Sequence, residues 1–190
     1  MGKIVAIACS PNPNGTSSHI TDAFLDGAMG LSTNFITLHR LVKCKSIFDC
    51  RRGMKCKGKG MCVINDDLQV VLEDIVDADC VVFATPVYFD GPCGLYKLLE
   101  DRMYCFLEDD KKSVLKPGKK ALLIVTSYYP DSDLPKVAGD MAKTLSLFGF
   151  DLMGVITYCD NMGKEPVEKN EVLLHEVKQM GLTMRNTPKV

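Results

Sequence analysis

The segment KIVAIACSPNPNGTSS, from Lys3 to Ser18, predicts the architecture of the whole chain. Within it, Ile4 to Cys9 form a continuous run of small and β-branched apolar residues, which is typical of a strand buried on both faces. Turn-forming residues from Ser10 to Gly15 end that strand, and any of the three hydroxyl residues from Thr16 to Ser18 can cap a helix that starts there. The stretch therefore predicts a buried strand, a polar loop and a helix N-terminus, where free backbone N–H groups face an anion.

The chemistry of this loop narrows the choice of anion. The loop has no lysine, so it is not the GxxxxGK[ST] loop of nucleoside triphosphate sites, and it lacks the GxGxxG pattern of a dinucleotide site. It also lacks the acidic cluster of a Mg²⁺-dependent phospho-acceptor site. Its hydroxyls, side-chain amides and free N–H groups suit one terminal phosphate monoester. An ordinary strand-to-helix turn without a ligand is the alternative interpretation.

The composition bounds the class of protein. A chain of 190 residues with a net charge of -1 at pH 7 fits one domain with a sizeable core. That charge gives no electrostatic case for binding nucleic acid or an anionic membrane. No apolar run approaches the ~20 residues of a membrane span, and the first residues lack the pattern of a signal peptide. We therefore expect a cytoplasmic protein without a nucleic-acid or membrane partner.

Nine cysteines are a high count, and an odd number in such a chain indicates thiols, a metal or a cluster and not a disulfide scaffold. Four are evenly spaced, with five residues between neighbours, in a basic segment at about 41–64: Cys44, Cys50, Cys56 and Cys62. Nearby positive charge favours the thiolate, the form that binds metal or reacts. Three interpretations stay open: an iron–sulfur cluster with four thiolate ligands, a zinc site, or a reduced, solvated loop at a subunit contact or substrate wall.

Strand and helix patterns alternate along the chain. The predicted strands cover 4–9, 34–38, 78–84, 119–125 and 151–158, and the predicted helices cover 17–29, 65–77, 94–107, 136–148 and 165–180, with Gly181 as the last C-cap. Such alternation predicts a parallel sheet covered by helices on both faces. Five strands with a phosphate loop after the first favour the flavodoxin-like order 2-1-3-4-5, an α/β three-layer sandwich. We expect a single domain over 1–190, with the cysteine segment as an insertion and 183–190 as a frayed tail.

Two further loops follow predicted strands at the same edge of this sheet. The first runs from Thr85 to Pro92 and carries the adjacent aromatics Tyr88 and Phe89, and the second runs from Thr126 to Pro130. Ligands of open parallel sheets bind outside the carboxyl ends of the strands. We therefore expect these loops to flank a flat ring, the alternative being that the aromatics pack on the following helix.

Four blocks of this sequence together resemble the NAD(P)H-dependent FMN reductase and iron–sulfur flavoprotein branch of the flavodoxin-like superfamily. They are CSPNPNGTSS at Cys9–Ser18, CVINDD at Cys62–Asp67, ATPVYFDGP at Ala84–Pro92 and LYKLLEDR at Leu95–Arg102. The likeness runs from Lys3 to about Leu182. The ATPVY and CVINDD blocks are the more specific ones.

The resemblance implies FMN contacts in three loops. The phosphate would be held by Ser10, Thr16, Ser17 and Ser18, with Asn12 and Asn14 as supporting donors. The isoalloxazine ring would lie along Pro86, Val87, Tyr88 and Phe89, and a third loop would add Thr126, Ser127 and Tyr128. Asn12 replaces an arginine that is common in the family, which would leave phosphate binding more dependent on backbone N–H groups.

The function implied by the resemblance is hydride transfer from NAD(P)H to flavin N5, followed by reduction of a quinone, another flavin, a metal ion or a protein. The resemblance also implies a homodimer or homotetramer. One alternative is an electron carrier without nicotinamide turnover, whose [4Fe–4S] cluster would use Cys44, Cys50, Cys56 and Cys62. In that segment Ile47 occupies the middle position of the family's C-x-x-C-x-x-C pattern. A cofactor-free flavodoxin-like interaction domain is the third candidate.

Overall fold

The computed structural model of the chain describes residues 2–30 and 33–184. In this part of the chain the strands are β1 (Gly2–Ala8), β2 (Asn34–Arg40), β3 (Cys80–Tyr88), β4 (Gly91–Pro92), β5 (Lys120–Ser127) and β6 (Asp151–Cys159). The α-helices are α1 (Thr16–Met29), α2 (Asp67–Asp77), α3 (Gly94–Arg102), α4 (Leu134–Leu147) and α5 (Glu171–Leu182). Short 3₁₀ turns lie at Leu41–Lys43, Met103–Phe106 and Val167–Lys169.

The sheet has the order β2-β1-β3-β5-β6, and all four of these pairings are parallel. This confirms the predicted order, since the five long strands taken in sequence give 2-1-3-4-5. The two-residue β4 adds an antiparallel hairpin to the end of β3. The sheet therefore presents the carboxyl ends of β1, β3, β5 and β6 along one edge.

Helices cover both faces of the sheet, as the alternation of strand and helix patterns predicts. On one face, Val5 and Ile7 of β1 pack in a core with residues of α2, α3 and α4. On the other face, Ile4 and Ala6 of the same strand pack with residues of α1 and α5. Successive residues of β1 thus enter opposite cores, which explains why the strand is apolar throughout and not alternating.

Two predicted boundaries near the second loop are wrong. The predicted third strand ends at Ala84, but β3 continues to Tyr88 because Thr85 and Pro86 pair with Val125 and Thr126 of β5. A proline fits there because its missing N–H is not needed, and its carbonyl accepts a hydrogen bond from the Cys93 N–H at 3.1 Å. The helix that follows ends at Arg102 and gives way to a 3₁₀ turn.

Gly181 is not the predicted C-cap of the last helix. It lies inside α5, which starts at Glu171 and ends at Leu182, so the predicted span 165–180 begins too early. A Cβ at Gly181 would meet the Phe24 carbonyl oxygen at 2.1 Å, and one at Gly27 would meet the Lys178 carbonyl oxygen at 1.9 Å. The two glycines therefore allow α1 and α5 to cross with their backbones in contact.

The predicted tail at 183–190 lies mostly outside the described residues. Of its residues, Thr183 follows α5 as the C-cap, and Met184 packs partly buried against the α1 and α5 core. Among residues 2–30 and 33–184, no helix is both long enough and apolar enough to span a bilayer.

Candidate functional site

The loop after β1 leads into a helix that begins without a side-chain cap. The N-cap of α1 is Gly15, so the prediction that a hydroxyl residue from Thr16 to Ser18 caps the helix is wrong. The Gly15 carbonyl accepts hydrogen bonds from the Ser18 and His19 N–H groups. Within the described residues, the N–H groups of Thr16 and Ser17 have no acceptor. By contrast, α2, α4 and α5 each start with a side-chain oxygen that accepts a helix N–H.

Internal hydrogen bonds hold the rest of this loop in place. The Asn12 N–H donates to Ser10 Oγ at 3.1 Å, and the Asn14 N–H donates to Asn12 Oδ1 at 3.0 Å. These side chain-to-backbone contacts are typical of Asx and Ser/Thr turns. They orient the loop so that the uncapped end of α1 stays open.

The loop after β3 is a tight hairpin with an exposed aromatic tip. Tyr88 pairs with Gly91 across the hairpin, and the two residues between them, Phe89 and Asp90, have φ of 51° and 56°. A turn with positive φ at both central residues normally holds asparagine, aspartate or glycine at the first of them. The Phe89 side chain is fully exposed. The hairpin therefore keeps a large apolar ring in solvent on a strained backbone.

The loops after β5 and β6 close the same side. Ser127 Oγ donates to the Tyr129 carbonyl at 3.2 Å, and the rings of Tyr128 and Tyr129 pack edge-to-face with centroids 5.1 Å apart. The Asp160 N–H donates to the Ser127 carbonyl at 3.1 Å. Thr16 Oγ1 in turn donates to Asp160 Oδ2 at 3.3 Å, so the end of β6 touches the start of α1.

These loops enclose a cavity of about 720 Å³ at the carboxyl edge of the sheet. Eleven of the thirteen predicted cofactor-binding residues line it, namely Ser10, Asn12, Thr16, Ser17, Pro86, Val87, Tyr88, Phe89, Thr126, Ser127 and Tyr128. Asn14 and Ser18 do not line it: Asn14 is exposed, and the buried Ser18 hydroxyl has no hydrogen-bond partner among the described residues. The volume is within the range of small-molecule and cofactor sites, roughly 300–1,000 Å³.

Six residues line the cavity without having been predicted as ligand contacts: Gly15, Asp90, Tyr129, Asp131, Ser132 and Asp160. Gly15, Asp90 and Tyr129 lie in the predicted loops, next to predicted ligand contacts. Asp160 directly follows the last strand, and only its position at the same sheet edge could have indicated it. Nothing in the sequence near Asp131 and Ser132 distinguishes them from a solvated turn.

The charges along the cavity are unusual for a phosphate site. Three carboxylates line it, those of Asp90, Asp131 and Asp160, and no lysine, arginine or histidine is among the lining residues that the structure describes. A phosphate at the start of α1 would therefore be bound by N–H and hydroxyl donors and by the helix dipole, without a cationic side chain.

The four predicted cluster ligands do not come together. Cys44 and Cys50 are half-buried, whereas Cys56 and Cys62 are buried. Within residues 2–30 and 33–184, no three histidine, cysteine or acidic side chains are arranged to hold a metal ion. The structure therefore does not support Cys44, Cys50, Cys56 and Cys62 as the ligands of one cluster, and that assignment stays a prediction.

A buried ion pair explains the two sequence blocks CVINDD and LYKLLEDR. Arg102 uses all five of its N–H groups: Nη1 and Nη2 donate to the Asp66 carboxylate and to the Phe48 and Ile64 carbonyls, and Nε donates to Cys62 Sγ. Burial disfavours the ionised carboxylate of Asp66, but hydrogen bonds from Arg102 and the Phe48 N–H outweigh it and lower its pKa. The pair ties the cysteine segment to the end of α3.

Comparison with known proteins gives a family and a set of relatives. A model of the family described as NADPH-dependent FMN reductase matches residues 2–134. An iron–sulfur flavoprotein of Archaeoglobus fulgidus is 30% identical over 179 residues, which cover 94% of this chain and 77% of that protein. An iron–sulfur flavoprotein of Methanocaldococcus jannaschii is 32% identical over 102 residues, 53% of this chain and 51% of that protein. The chain spans about half the length of most of the curated relatives it matches.

Solved structures show the same architecture. An NADH:FMN oxidoreductase in its apo form superposes with a TM-score of 0.67 at 20% identity, over 99% of this chain and 92% of the other. At that level of identity the likeness shows a shared fold. It confirms the predicted α/β sheet with helices on both faces.

Proposed function

The chain belongs to the NADPH-dependent FMN reductase family, and we therefore propose that it is an FMN-dependent oxidoreductase. It takes a hydride from NAD(P)H and passes the electrons to a separate acceptor. The observation that carries the proposal is the meeting of an uncapped helix start and two aromatic loops around one cavity. That combination suits a ligand with a phosphate at one end and a flat ring at the other.

The start of α1 fits the phosphate end of FMN. The free N–H groups of Thr16 and Ser17 and the hydroxyls of Ser10 and Ser17 supply neutral donors, and the Thr16 hydroxyl joins them if it turns from Asp160 to the phosphate. A Cβ at Gly15 would meet the Asn12 carbonyl oxygen at 3.3 Å, so the glycine keeps the loop close to the helix end. We assign Asn12 a supporting role, since its Oδ1 is occupied by the Asn14 N–H and its amide NH₂ group is left to donate.

The flat part of FMN fits between the other two loops. Pro86, Val87 and Tyr88 approach from the end of β3, and Thr126, Ser127 and Tyr128 approach from the end of β5. Thr126 and Ser127 are buried, so their backbone and hydroxyl groups are preorganised to meet polar ring atoms. FMN bound there would supply the two-electron chemistry, and the chain would supply position and shape.

The rim of the cavity indicates the kind of partner that the reaction uses. Tyr88, Phe89, Tyr128 and Tyr129 are all exposed large aromatics. Such a rim suits a flat donor or acceptor ring, which supports a nicotinamide donor and an aromatic acceptor such as a quinone or a second flavin. A metal ion or a protein stays the alternative acceptor. The same apolar rim supports a homodimer or homotetramer, in which a second copy covers the exposed rings.

An electron carrier with a four-thiolate cluster is the second candidate, and the names of the relatives favour it. Within the described residues, no three histidine, cysteine or acidic side chains are arranged to hold a metal ion, which does not support that group. We therefore favour the reductase.

The test is a visible spectrum of the protein purified without oxygen, followed by steady-state oxidation of NADH and NADPH with benzoquinone as acceptor. We expect a flavin spectrum, bleaching on addition of NAD(P)H, and turnover that needs both nucleotide and acceptor. A protein that carries no flavin and takes up no added FMN contradicts the proposal. If the protein retains flavin but neither NADH nor NADPH bleaches it, the nicotinamide donor is rejected and the flavin site is kept.

A further inference from the structure

Two loops at the opening of the large cavity repeat one arrangement, in which a pair of aromatic residues is followed closely by an aspartate. The residues are Tyr88, Phe89 and Asp90 in the β3–β4 hairpin and Tyr128, Tyr129 and Asp131 after β5. All six line the cavity and all six are exposed, and we call them the mouth. A molecule that enters the cavity here meets aromatic rings and carboxylates together.

The two carboxylates of the mouth are not neutralised by the cations around them. In the part of the chain that the structure describes, no lysine, arginine or histidine pairs with Asp90 or Asp131. Lys97 and Lys136 line a smaller cavity of about 220 Å³ next to Asp90, but each of these lysines pairs with carboxylates of its own helix. Within the described residues, the mouth is therefore negatively charged.

The third carboxylate of the large cavity has a different role. Asp160 is less exposed than the two aspartates of the mouth. Its Oδ2 accepts a hydrogen bond from Thr16 Oγ1 at 3.3 Å, and its Oδ1 accepts one from the Gly163 N–H at 3.4 Å. These contacts hold the end of β6 against the start of α1, so we assign Asp160 a structural role.

Aromatic rings and carboxylates both favour a flat cation over a flat anion. The face of an aromatic ring carries partial negative charge and attracts a cation placed over it. A carboxylate attracts the same cation through its full charge, and it repels an anion. Because the mouth is open to water, each carboxylate should have a modest effect that salt weakens.

We propose that the mouth selects flat, positively charged electron acceptors over negatively charged acceptors of similar shape, and that Asp90 and Asp131 determine this specificity. The inference rests on the proposed function, because the acceptor takes its electrons from a flavin in the same cavity. The charge ranks an uncharged quinone between the two classes, and it places free FMN, with its anionic phosphate, among the disfavoured acceptors.

The test uses two flat dyes of opposite charge as acceptors for the flavin-loaded protein, the cation methylene blue and the anion of dichlorophenolindophenol at pH 7. Methylene blue gains the two electrons and one proton of a hydride and becomes its uncharged leuco form, while NADH or NADPH becomes the oxidised nucleotide. The bleaching of each dye, corrected for the rate without protein, gives kcat/KM.

Replacing either aspartate of the mouth should shift the two dyes in opposite directions. We expect Asp90→Asn and Asp131→Asn each to lower kcat/KM for methylene blue by about two- to fivefold and to raise it for the indophenol by a similar factor. High salt should shrink both changes. Asparagine preserves the shape of the side chain, and it tolerates the φ of 56° at Asp90.

The matched control is Asp151→Asn, which removes the same charge at the opposite edge of the sheet. Asp151 is an exposed residue at the amino end of β6, where it pairs with Lys120, and its replacement should change neither dye. Damage to a loop would lower kcat/KM for both dyes, so shifts in the same direction, or no shifts, overturn the inference. If flavin and turnover are present without opposite shifts, the reductase stands and the charge selection fails. A protein that takes up no flavin overturns both.

Discussion

Asp66 and Arg102 meet in a two-point ion pair, with Oδ2 to Nη1 at 2.7 Å and Oδ1 to Nη2 at 3.0 Å, and both side chains are fully buried. Asp66 also caps α2, because its Oδ1 accepts the Leu68 N–H at 3.2 Å, and its Oδ2 accepts the Phe48 N–H at 2.8 Å. The pair therefore joins α2, α3 and the cysteine segment through a single point.

Removing the cation from this point should be costly. We expect Arg102→Ala to lower the free energy of unfolding by about 3–5 kcal/mol, because it leaves the Asp66 carboxylate buried and unpaired. Lys97→Ala on the same helix is the matched control: Lys97 pairs with Glu100 and Asp101 at the surface, and its loss should cost under ~1 kcal/mol. Urea unfolding measures the free energy of unfolding of the two variants. Equal decreases would show that the buried ion pair contributes no more to stability than the surface pairs of Lys97.

The donors at the start of α1 should dominate FMN affinity. We expect Thr16→Ala combined with Ser17→Ala to weaken FMN binding, by about 1.5–3 kcal/mol for each hydroxyl that bonds the charged phosphate. Ser146→Ala, an exposed serine on α4, is the control. The measurement is a fluorescence titration of apoprotein with FMN. If the double variant binds FMN as tightly as the unaltered chain, the phosphate of FMN does not bind at this loop.

Phe89 at the tip of the β3–β4 hairpin should lower the stability of the fold while its exposed ring contacts the substrate. Phe89→Gly relieves a residue at φ 51°, and we expect it to raise the free energy of unfolding by about 1–2 kcal/mol. The same variant should lower kcat/KM for a flat quinone more than for ferricyanide. Tyr129→Gly also removes an exposed rim ring, but it relieves no left-handed residue and should not stabilise the fold. If Phe89→Gly is no more stable than the unaltered chain, the backbone at Phe89 is not strained.

A buried lysine far from the site should make stability depend on pH. Burial lowers the pKa of Lys119 to about 8, and its Nζ donates to the carbonyls of Val76 and Ala78 at the end of α2. Because the unfolded chain keeps this proton up to about 10.5, folding releases it between these values. The contribution of Lys119 to stability therefore rises as pH rises through that window.

The comparison with Lys119→Met isolates this contribution. We expect the variant's advantage over the unaltered chain to shrink by about 2–3 kcal/mol between pH 7 and pH 10, at 1.36 kcal/mol per pKa unit. Urea unfolding at a series of pH values measures the difference, and Lys120→Met, at an exposed neighbour, should show no such trend. A constant difference for Lys119→Met would contradict the lowered pKa.

Alanine substitutions at two helix glycines should change the stability of the fold in opposite directions, because only Gly181 lies where α1 and α5 cross. Gly181→Ala should destabilise strongly, because its Cβ would meet the Phe24 carbonyl at 2.1 Å. Gly139→Ala in α4 meets nothing within 4 Å, and should stabilise by about 0.5–1 kcal/mol through helix propensity. Thermal unfolding of both variants is the measurement. Equal responses would mean that the helices do not need the close approach.

Local patterns carried the prediction of the sheet and of most of the cavity. Each strand is followed directly by its loop in the sequence, so an apolar run followed by turn residues identifies both. The parallel topology then brings the three loops to one edge of the sheet. Asp131 and Asp160 were missed because only tertiary contact brings them to the cavity. The cysteine set stays a prediction, because even spacing along a looped segment does not determine which way each thiol points. Gly181 was misread because a glycine at a helix crossing and one at a helix end look alike in sequence.

The uncapped start of α1 has a consequence for how the protein is maintained. Under the proposed function, the first turn of that helix is completed by a molecule that the chain does not encode. A ligand that binds only the folded state stabilises it by about 2.7 kcal/mol at a hundred times its Kd. The survival of the folded protein would then follow the supply of flavin, so a cell short of the vitamin precursor would lose the protein as well as its activity.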